Sequence, residues 1–294
     1  MSAPLRSPAL RTSHALRTLA AATVALASVL LAHPPAEAAT PERAMWVWTQ
    51  PPAKTLVNFA KRHSAQDLFI SVPPNLPSSS SALSWVRSVS KAARGTGIRL
   101  HALGGDPGWI DDPAAALAWQ EAALSTGLFT GSHVDVEPWG HPAWDTDQAG
   151  TVARYLDLLG ALEASTALPV EADVAFWLHT VGTAEGRSLD AAVLDRVDAV
   201  TIMSYRNTVT GADSITDVGA TTLATAAAAG KPARLAVETR YLGDDAISRK
   251  QTFYGQSDID LATALQQVDA AEAGSPSYAG ISVHDYAGWD ALPG

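Results

Sequence analysis

From residue 44 onward, short apolar runs alternate with longer amphipathic stretches along this chain. Runs rich in Val, Ile, Leu and aromatic residues that end in Gly, Pro or polar clusters have the pattern of buried strands. Such runs fall at 44–48, 67–72, 98–103, 132–137, 169–176, 198–205, 233–238 and 280–286. Between them the spacing predicts helices near 52–63, 81–94, 113–126, 147–164, 188–196, 216–229 and 258–273. Asp112-Pro113 supplies a cap followed by proline in the first turn. Ser188 precedes an amphipathic run with Leu189, Val193 and Leu194, and the Ala-rich stretch 220–229 stops at Gly230-Lys231-Pro232.

Eight such units predict an α/β fold, a single (β/α)8 barrel. An open doubly wound sheet shows the same alternation, but strand one runs into Thr49-Gln50-Pro51-Pro52 instead of a phosphate-binding glycine turn. Only Asp290 to Gly294 follow the last strand, so closure by the chain terminus without an eighth outer helix is expected.

The N-terminus carries a different pattern. Arg6, Arg11 and Arg17 precede an apolar stretch from Thr18 to Ala32, then His33-Pro34-Pro35 and the small residues of Ala36-Glu37-Ala38-Ala39. This is the layout of a secretory signal peptide, and the apolar run is shorter than the roughly 20 residues a membrane span needs. The expected organisation is a leader at 1–38, removed on export, and a barrel at 39–294. The expected product is extracellular, monomeric and free of the membrane once cleaved. With no cysteine, neither a disulfide nor a lipoprotein anchor is available. Loss of three arginines and Glu37 leaves 17 Lys+Arg against 29 Asp+Glu, a net charge near −12. Such a surface repels nucleic acid and other polyanions and suits a neutral or cationic substrate.

Barrel enzymes carry their chemistry at the C-terminal ends of strands. Here those positions are Trp48, the segment Gly104-Gly105-Asp106-Pro107-Gly108-Trp109, then Asp135, Glu137 and Trp139, Asp173 and Trp177, Tyr205 and Arg206, Glu238 and Arg240, and His284, Asp285, Tyr286 and Trp289. Of nine tryptophans, five (Trp48, Trp109, Trp139, Trp177 and Trp289) lie at or just past strand ends. Indole faces are flat apolar platforms with one N–H donor, suited to the C–H faces and hydroxyls of sugar rings; plugging the barrel mouth is the competing use.

On strand four the period of two turns His133, Asp135 and Glu137 to one face and Val134 and Val136 to the other. Two carboxylates on one line in a confined mouth repel each other, so one is expected to hold its proton near neutral pH, as a general acid must. Glu238 on strand seven can face them across the barrel, as nucleophile or as an ion-pair partner of Arg240 or Arg206.

Asp135-Val136-Glu137-Pro138 with Glu238 resembles the clan of retaining barrel glycosidases that includes cellulases and β-galactosidases. That resemblance implies Glu137 as acid/base and Glu238 as nucleophile; Val136 departs from it, because the clan has Asn there. Asp135-Val136-Glu137 with Met203-Ser204-Tyr205 also resembles the family 18 chitinase-type glycosidases, in which an acetamido group of the substrate assists. Here His133 and Gly131 stand where that family carries further aspartates. Over nearly the whole barrel the chain is similar to a family of secreted bacterial barrel proteins without a settled activity. Gly105-Asp106-Pro107, Phe176-Trp177, Val237-Glu238-Thr239, Thr252-Phe253-Tyr254 and Val283-His284-Asp285-Tyr286 share in that likeness.

The leading expectation is a glycoside hydrolase acting on an extracellular poly- or oligosaccharide, without cofactor or metal. Glu137 is the acid/base, Asp135 assists, and Glu238 is the possible nucleophile. Trp48, Asp106, Trp109, Trp139, Asp173, Trp177, Tyr205, His284 and Tyr286 hold the carbohydrate. Two alternatives stand beside it. One is a metal-dependent phosphodiesterase or deacetylase using Asp135, Glu137, Asp173, His101 and His284. The other is a non-catalytic carbohydrate-binding barrel.

Overall fold

The structure, a computed structural model, describes residues 42–294, so the expected leader at 1–38 lies outside the described residues. Eight parallel strands pair in chain order and close, the last against the first. They are β1 (Glu42–Val47), β2 (Ala65–Ser71), β3 (Arg99–Gly104), β4 (Gly131–Val134), β5 (Val170–Ala175), β6 (Ala199–Met203), β7 (Ala233–Glu238) and β8 (Tyr278–His284). The helices are α1 (Ala53–Arg62), α2 (Ser80–Ala93), α3 (Pro113–Leu124), α4 (Gln148–Ala164), α5 (Leu189–Leu194), α6 (Ile215–Ala229), α7 (Ala246–Lys250), α8 (Asp258–Glu272) and α9 (Tyr286–Asp290). The predicted (β/α)8 barrel is the observed fold.

Two strands are shorter than their apolar runs. β4 stops at Val134, although Asp135 N–H still donates to Gly104 C=O at 3.0 Å. Pro138 has no N–H to carry the ladder on, and Pro138–Gly140 folds as a 3₁₀ turn. β6 likewise ends at Met203, before Tyr205. The end of the chain departs from expectation too. Asp285 accepts the Gly288 N–H at 2.8 Å and caps α9, whose Tyr286 and Trp289 pack edge-on against Phe59 of α1. Strand pairing and this short helix therefore close the barrel, instead of the terminus alone.

The core has two parts. Val134, Val174, Ile202, Val237 and Val283 point outward under the helices, with Leu56, Val86, Trp119, Tyr155, Leu159, Leu223 and Leu265 among the residues that cover them. Gln120 of α3 ties this layer to the sheet, donating to Leu162 C=O at 2.7 Å and accepting from Ser132 of β4 at 2.8 Å. Inside the barrel the apolar part is small: Ala44, Trp46, Phe69, Leu103 and Ala236.

Charge fills the rest of the interior. At the N-terminal end Asp67, fully buried, accepts from Arg99 Nε at 2.7 Å and Arg234 Nη2 at 2.8 Å, with His101 Nε2 2.9 Å away. Arg99 also pairs with Glu42. Glu171 accepts from Thr201 Oγ1 at 2.6 Å and lies 3.4 Å from Arg234 Nε. Burial alone would raise the Glu171 pKa, but the Arg234 charge, the His133 bond and charge and the Thr201 bond together outweigh it and hold it down to about 2. Asp67 is likewise held well below the carboxylate range, its bonds to His101 and Arg99 and the Arg234 charge overcoming burial.

Removing a cation from such a network leaves buried carboxylates uncompensated, so Arg234→Met is expected to cost about 3–5 kcal/mol, measured by denaturant unfolding. The depressed carboxylates fix the sign of the pH dependence. The stability from Glu171 is complete above about 4.5 and lost as pH falls through about 2, so the unfolding midpoint of the wild type should drop across that window.

Candidate active site

The alternation of β4 places His133 inside the barrel and Val134 and Val136 outside, all buried. Asp135 and Glu137 follow on the inner side, at the C-terminal mouth. The strand exits approach very closely here: a Cβ on Gly105 would stand 1.9 Å from Asp135 C=O, so no side chain fits without displacing β4. Beside β4, β5 brings Glu171 opposite His133 in the ladder and Asp173 two residues further on.

Asp173 Oδ2 accepts the Trp46 indole N–H at 3.2 Å and lies 2.9 Å from His133 Nε2. The His133 contact is off the axis of an aligned hydrogen bond and works as an ion pair. Asp135 Oδ1 is buried without a hydrogen-bond partner. Burial, then the charges of Asp173 and Glu137, push the Asp135 carboxyl well above its ordinary range. Glu137 is raised as well, by burial first and by Asp173 second. Both strand-four carboxyls are thus raised, and Asp173 is the neighbour whose charge contributes to each shift.

Across the barrel Glu238 is buried and committed. Its Oε1 accepts the backbone N–H groups of Thr239 at 2.7 Å and Arg240 at 2.6 Å, and its Oε2 lies 2.8 Å from His284 Nδ1. The Arg240 side chain turns instead to Asp285, at 3.4 Å, and Arg206 to Asp213, at 2.7 Å. Neither arginine is the ion-pair partner of Glu238; His284 is its side-chain neighbour instead. Trp48 N–H donates to His284 Nε2 at 2.9 Å, which puts the ring proton on Nδ1, facing Glu238. Burial alone would lower the His284 pKa, yet Glu238, then Asp285 and Asp135, raise it. Tyr205 sits between these groups, its ring 6.2 Å from that of His284, and burial among Asp173, Glu238, Asp135 and Glu137 drives its phenol pKa well up.

The rim divides the predicted aromatic residues. Trp139, on the turn after Glu137, lies 5.3 Å from Trp177, and Trp144 joins them at 6.3 Å from Trp177, forming a half-buried indole cluster over the β4 and β5 exits. Trp48 stays 36% exposed beside His284. Trp109 leans on Trp119 of α3 at 5.2 Å, and Asp106 caps the turn carrying Trp109 by accepting Gly108 N–H at 2.7 Å. Tyr286 and Trp289 depart from expectation. Both are buried in α9 against α1, Tyr286 O–H donates to Asp290, and Trp289 N–H donates to Asp258, so they hold the outer layer together instead of facing a ligand.

Trp46 is the interior residue that the sequence reading missed. The period of two that turns Trp48 inward turns Trp46 inward as well, one layer deeper. The metal-ligand alternative loses a member, since His101 sits by Asp67 toward the other end of its strand. Among the described residues no three His, Asp or Glu side chains are placed to share an ion.

No family model and no curated protein matches the chain. Solved structures do. A class V chitinase from Pseudomonas fluorescens Pf-5 aligns with a TM-score of 0.53 at 14% identity, covering 86% of this chain and 98% of that one. A GH18 chitinase from Cycas revoluta, in complex with (GlcNAc)3, aligns at 0.54 and 12% identity, covering 85% and 96%. The spore cortex-lytic enzyme SleL of Bacillus cereus aligns at 0.52 and 11%, covering 86% and 71%. The chain shares the barrel fold of these glycoside hydrolases.

Gly105→Ala tests the β3–β4 contact. Overpacking of this kind costs about 1–3 kcal/mol and should move Asp135, so a lowered unfolding midpoint together with shifted Asp135 and Glu137 side-chain resonances in carboxyl-detected NMR is the expected outcome.

Proposed function

We propose that the protein is a secreted glycoside hydrolase that cleaves an extracellular poly- or oligosaccharide with Glu137 as general acid/base. The observation that carries the reading is the placement of Asp135 and Glu137 just past β4, on the inner side of the mouth beside Asp173. Glu137 stands at the mouth with its pKa raised by burial and by Asp173, the condition under which a carboxyl donates a proton to a leaving oxygen near neutral pH. The Trp139, Trp144 and Trp177 cluster supplies sugar platforms beside it, with Trp48 on the other side of the mouth.

The occupancy of Glu238 selects among mechanisms. Two backbone donors hold one of its oxygens and His284 faces the other, so in this reading Glu238 braces His284 and does not attack. The electron pair that displaces the leaving group then comes from the substrate, from the carbonyl oxygen of an acetamido group next to the reacting carbon. Glu137 protonates the glycosidic oxygen as that bond breaks, then accepts a proton from the water that opens the cyclic intermediate and returns the anomeric carbon to its starting configuration. Asp135, half-buried and shifted toward its neutral form, and Tyr205 orient the acetamido group. The substrate class is therefore a glycan with N-acetylhexosamine units, in keeping with the chitinase barrels that share the fold.

Release of reducing ends from β-1,4-linked GlcNAc oligomers tests this. Glu137→Gln is expected to lower kcat by about 10²–10⁴-fold, while Glu238→Gln lowers it far less; the reverse order would make Glu238 the nucleophile. Because the acid works only while protonated, activity should persist above the ordinary carboxylate range and fall as pH rises through the raised Glu137 pKa.

A further inference from the structure

The barrel interior holds more carboxylates than the proposed reaction uses, and each must find a cation or a proton. Asp67 and Glu171 share Arg234, and Arg99 serves Asp67 and Glu42. Glu238 has two backbone N–H donors and the Nδ1–H of His284. Among the described residues, the imidazole set against Asp173 is that of His133, whose Nε2 lies 2.9 Å from Asp173 and whose Nδ1 lies 3.9 Å from Glu171; His284 bears on Asp135 and Glu137 from the other side. His133 is wholly buried, stacked on Phe69 at 3.6 Å and met edge-on by Trp46, which also donates to Asp173.

We propose that His133 and Asp173 act as one positioning unit, an imidazolium–carboxylate pair sealed beneath the site, whose negative end faces Asp135 and Glu137 and so keeps the acid proton on them. The pair is a property of the folded chain; its catalytic consequence rests on the glycosidase reading above. Burial alone would discharge the imidazole, but Asp173, with Glu171, pushes its pKa up to about 10. The ionisable groups facing the pair are Glu171 and Arg234 below it, Asp135 and Glu137 above, Tyr205 just past β6, His284 of β8, and Tyr155 from α4. Asp135 has a buried oxygen without a partner, and burial, then the charges of Asp173 and Glu137, raise its carboxyl pKa against the opposing charges of His133 and His284.

The test has two arms. In the first, the pH profile of kcat/KM is measured on the GlcNAc tetramer for the wild type, Asp173→Asn, His133→Gln and the double variant. Asp173→Asn removes the charge facing Glu137, and His133→Gln leaves Asp173 a buried carboxylate without a cation, which takes up a proton instead; either loss lowers the pKa of the acid, so the alkaline limb is expected to move down by about one pH unit in each single variant. The double variant should move no further than either single one, as for two residues that act as a unit. A limb that stays in place in Asp173→Asn, or shifts that add in the double variant, overturns the proposal; a purely structural role would lower stability and rate without moving the limb. In the second arm, the wild-type protein with ¹⁵N-labelled histidine is observed at pH 8. An imidazolium His133 is expected, and a neutral ring overturns the pair whatever the protein cleaves. If no glycan is cleaved while His133 is charged, the glycosidase reading fails and the pair stands. Should His133→Gln not fold, Asp173→Asn and the wild-type resonance decide.

Discussion

An ion taken out of water needs a counter-ion or a proton, and the inside of this barrel is organised by that requirement. Many barrels fill the interior with branched apolar side chains. This one stacks Arg99, Arg234, Asp67 and Glu171 at the N-terminal end and His133 with Asp173 above them. Asp135 and Glu137 stand at the top, where burial first and the charge of Asp173 second raise their pKa values against the opposing charge of His284.

The mouth adds shape to this charge pattern. Short turns after β4 and β5 carry Trp139 and Trp177 outward from the carboxyls, and α4 begins behind them at Gln148. The opposite side of the mouth is built from β7, β8 and Trp48, where Glu238 and His284 hold each other. A ring lying between the two sides would meet indole on one flank and the Glu137 carboxyl below. The glycine at 105 lets β3 and β4 approach closely enough for Asp135 and Glu137 to reach that position.

The chitinase-type likeness seen in the sequence stops short of the earlier strand-four positions, where His133 and Gly131 stand instead of aspartates. Asp173 of β5 lies 2.9 Å from His133 and is among the charges that raise Asp135.

Much of this was legible in the chain alone, because it depends on local periodicity. Eight apolar runs with helical spacing between them determined the barrel, and the period of two on strand four determined that His133, Asp135 and Glu137 face one way and Val134 and Val136 the other. Caps at Asp112 and Gly230 marked helix ends where the structure has them. The same rule applied one step further back would have turned Trp46 inward. What the chain could not show was which side chains meet across strands, since that depends on ladder register and barrel closure. Only the tertiary structure set Asp173 against His133, gave Glu238 to His284 instead of Arg240 or Arg206, sent His101 to the floor, and folded Tyr286 and Trp289 into a short helix against Phe59. Periodicity fixes the direction of a side chain; its partner, and with it its charge, is fixed by neighbours distant in sequence.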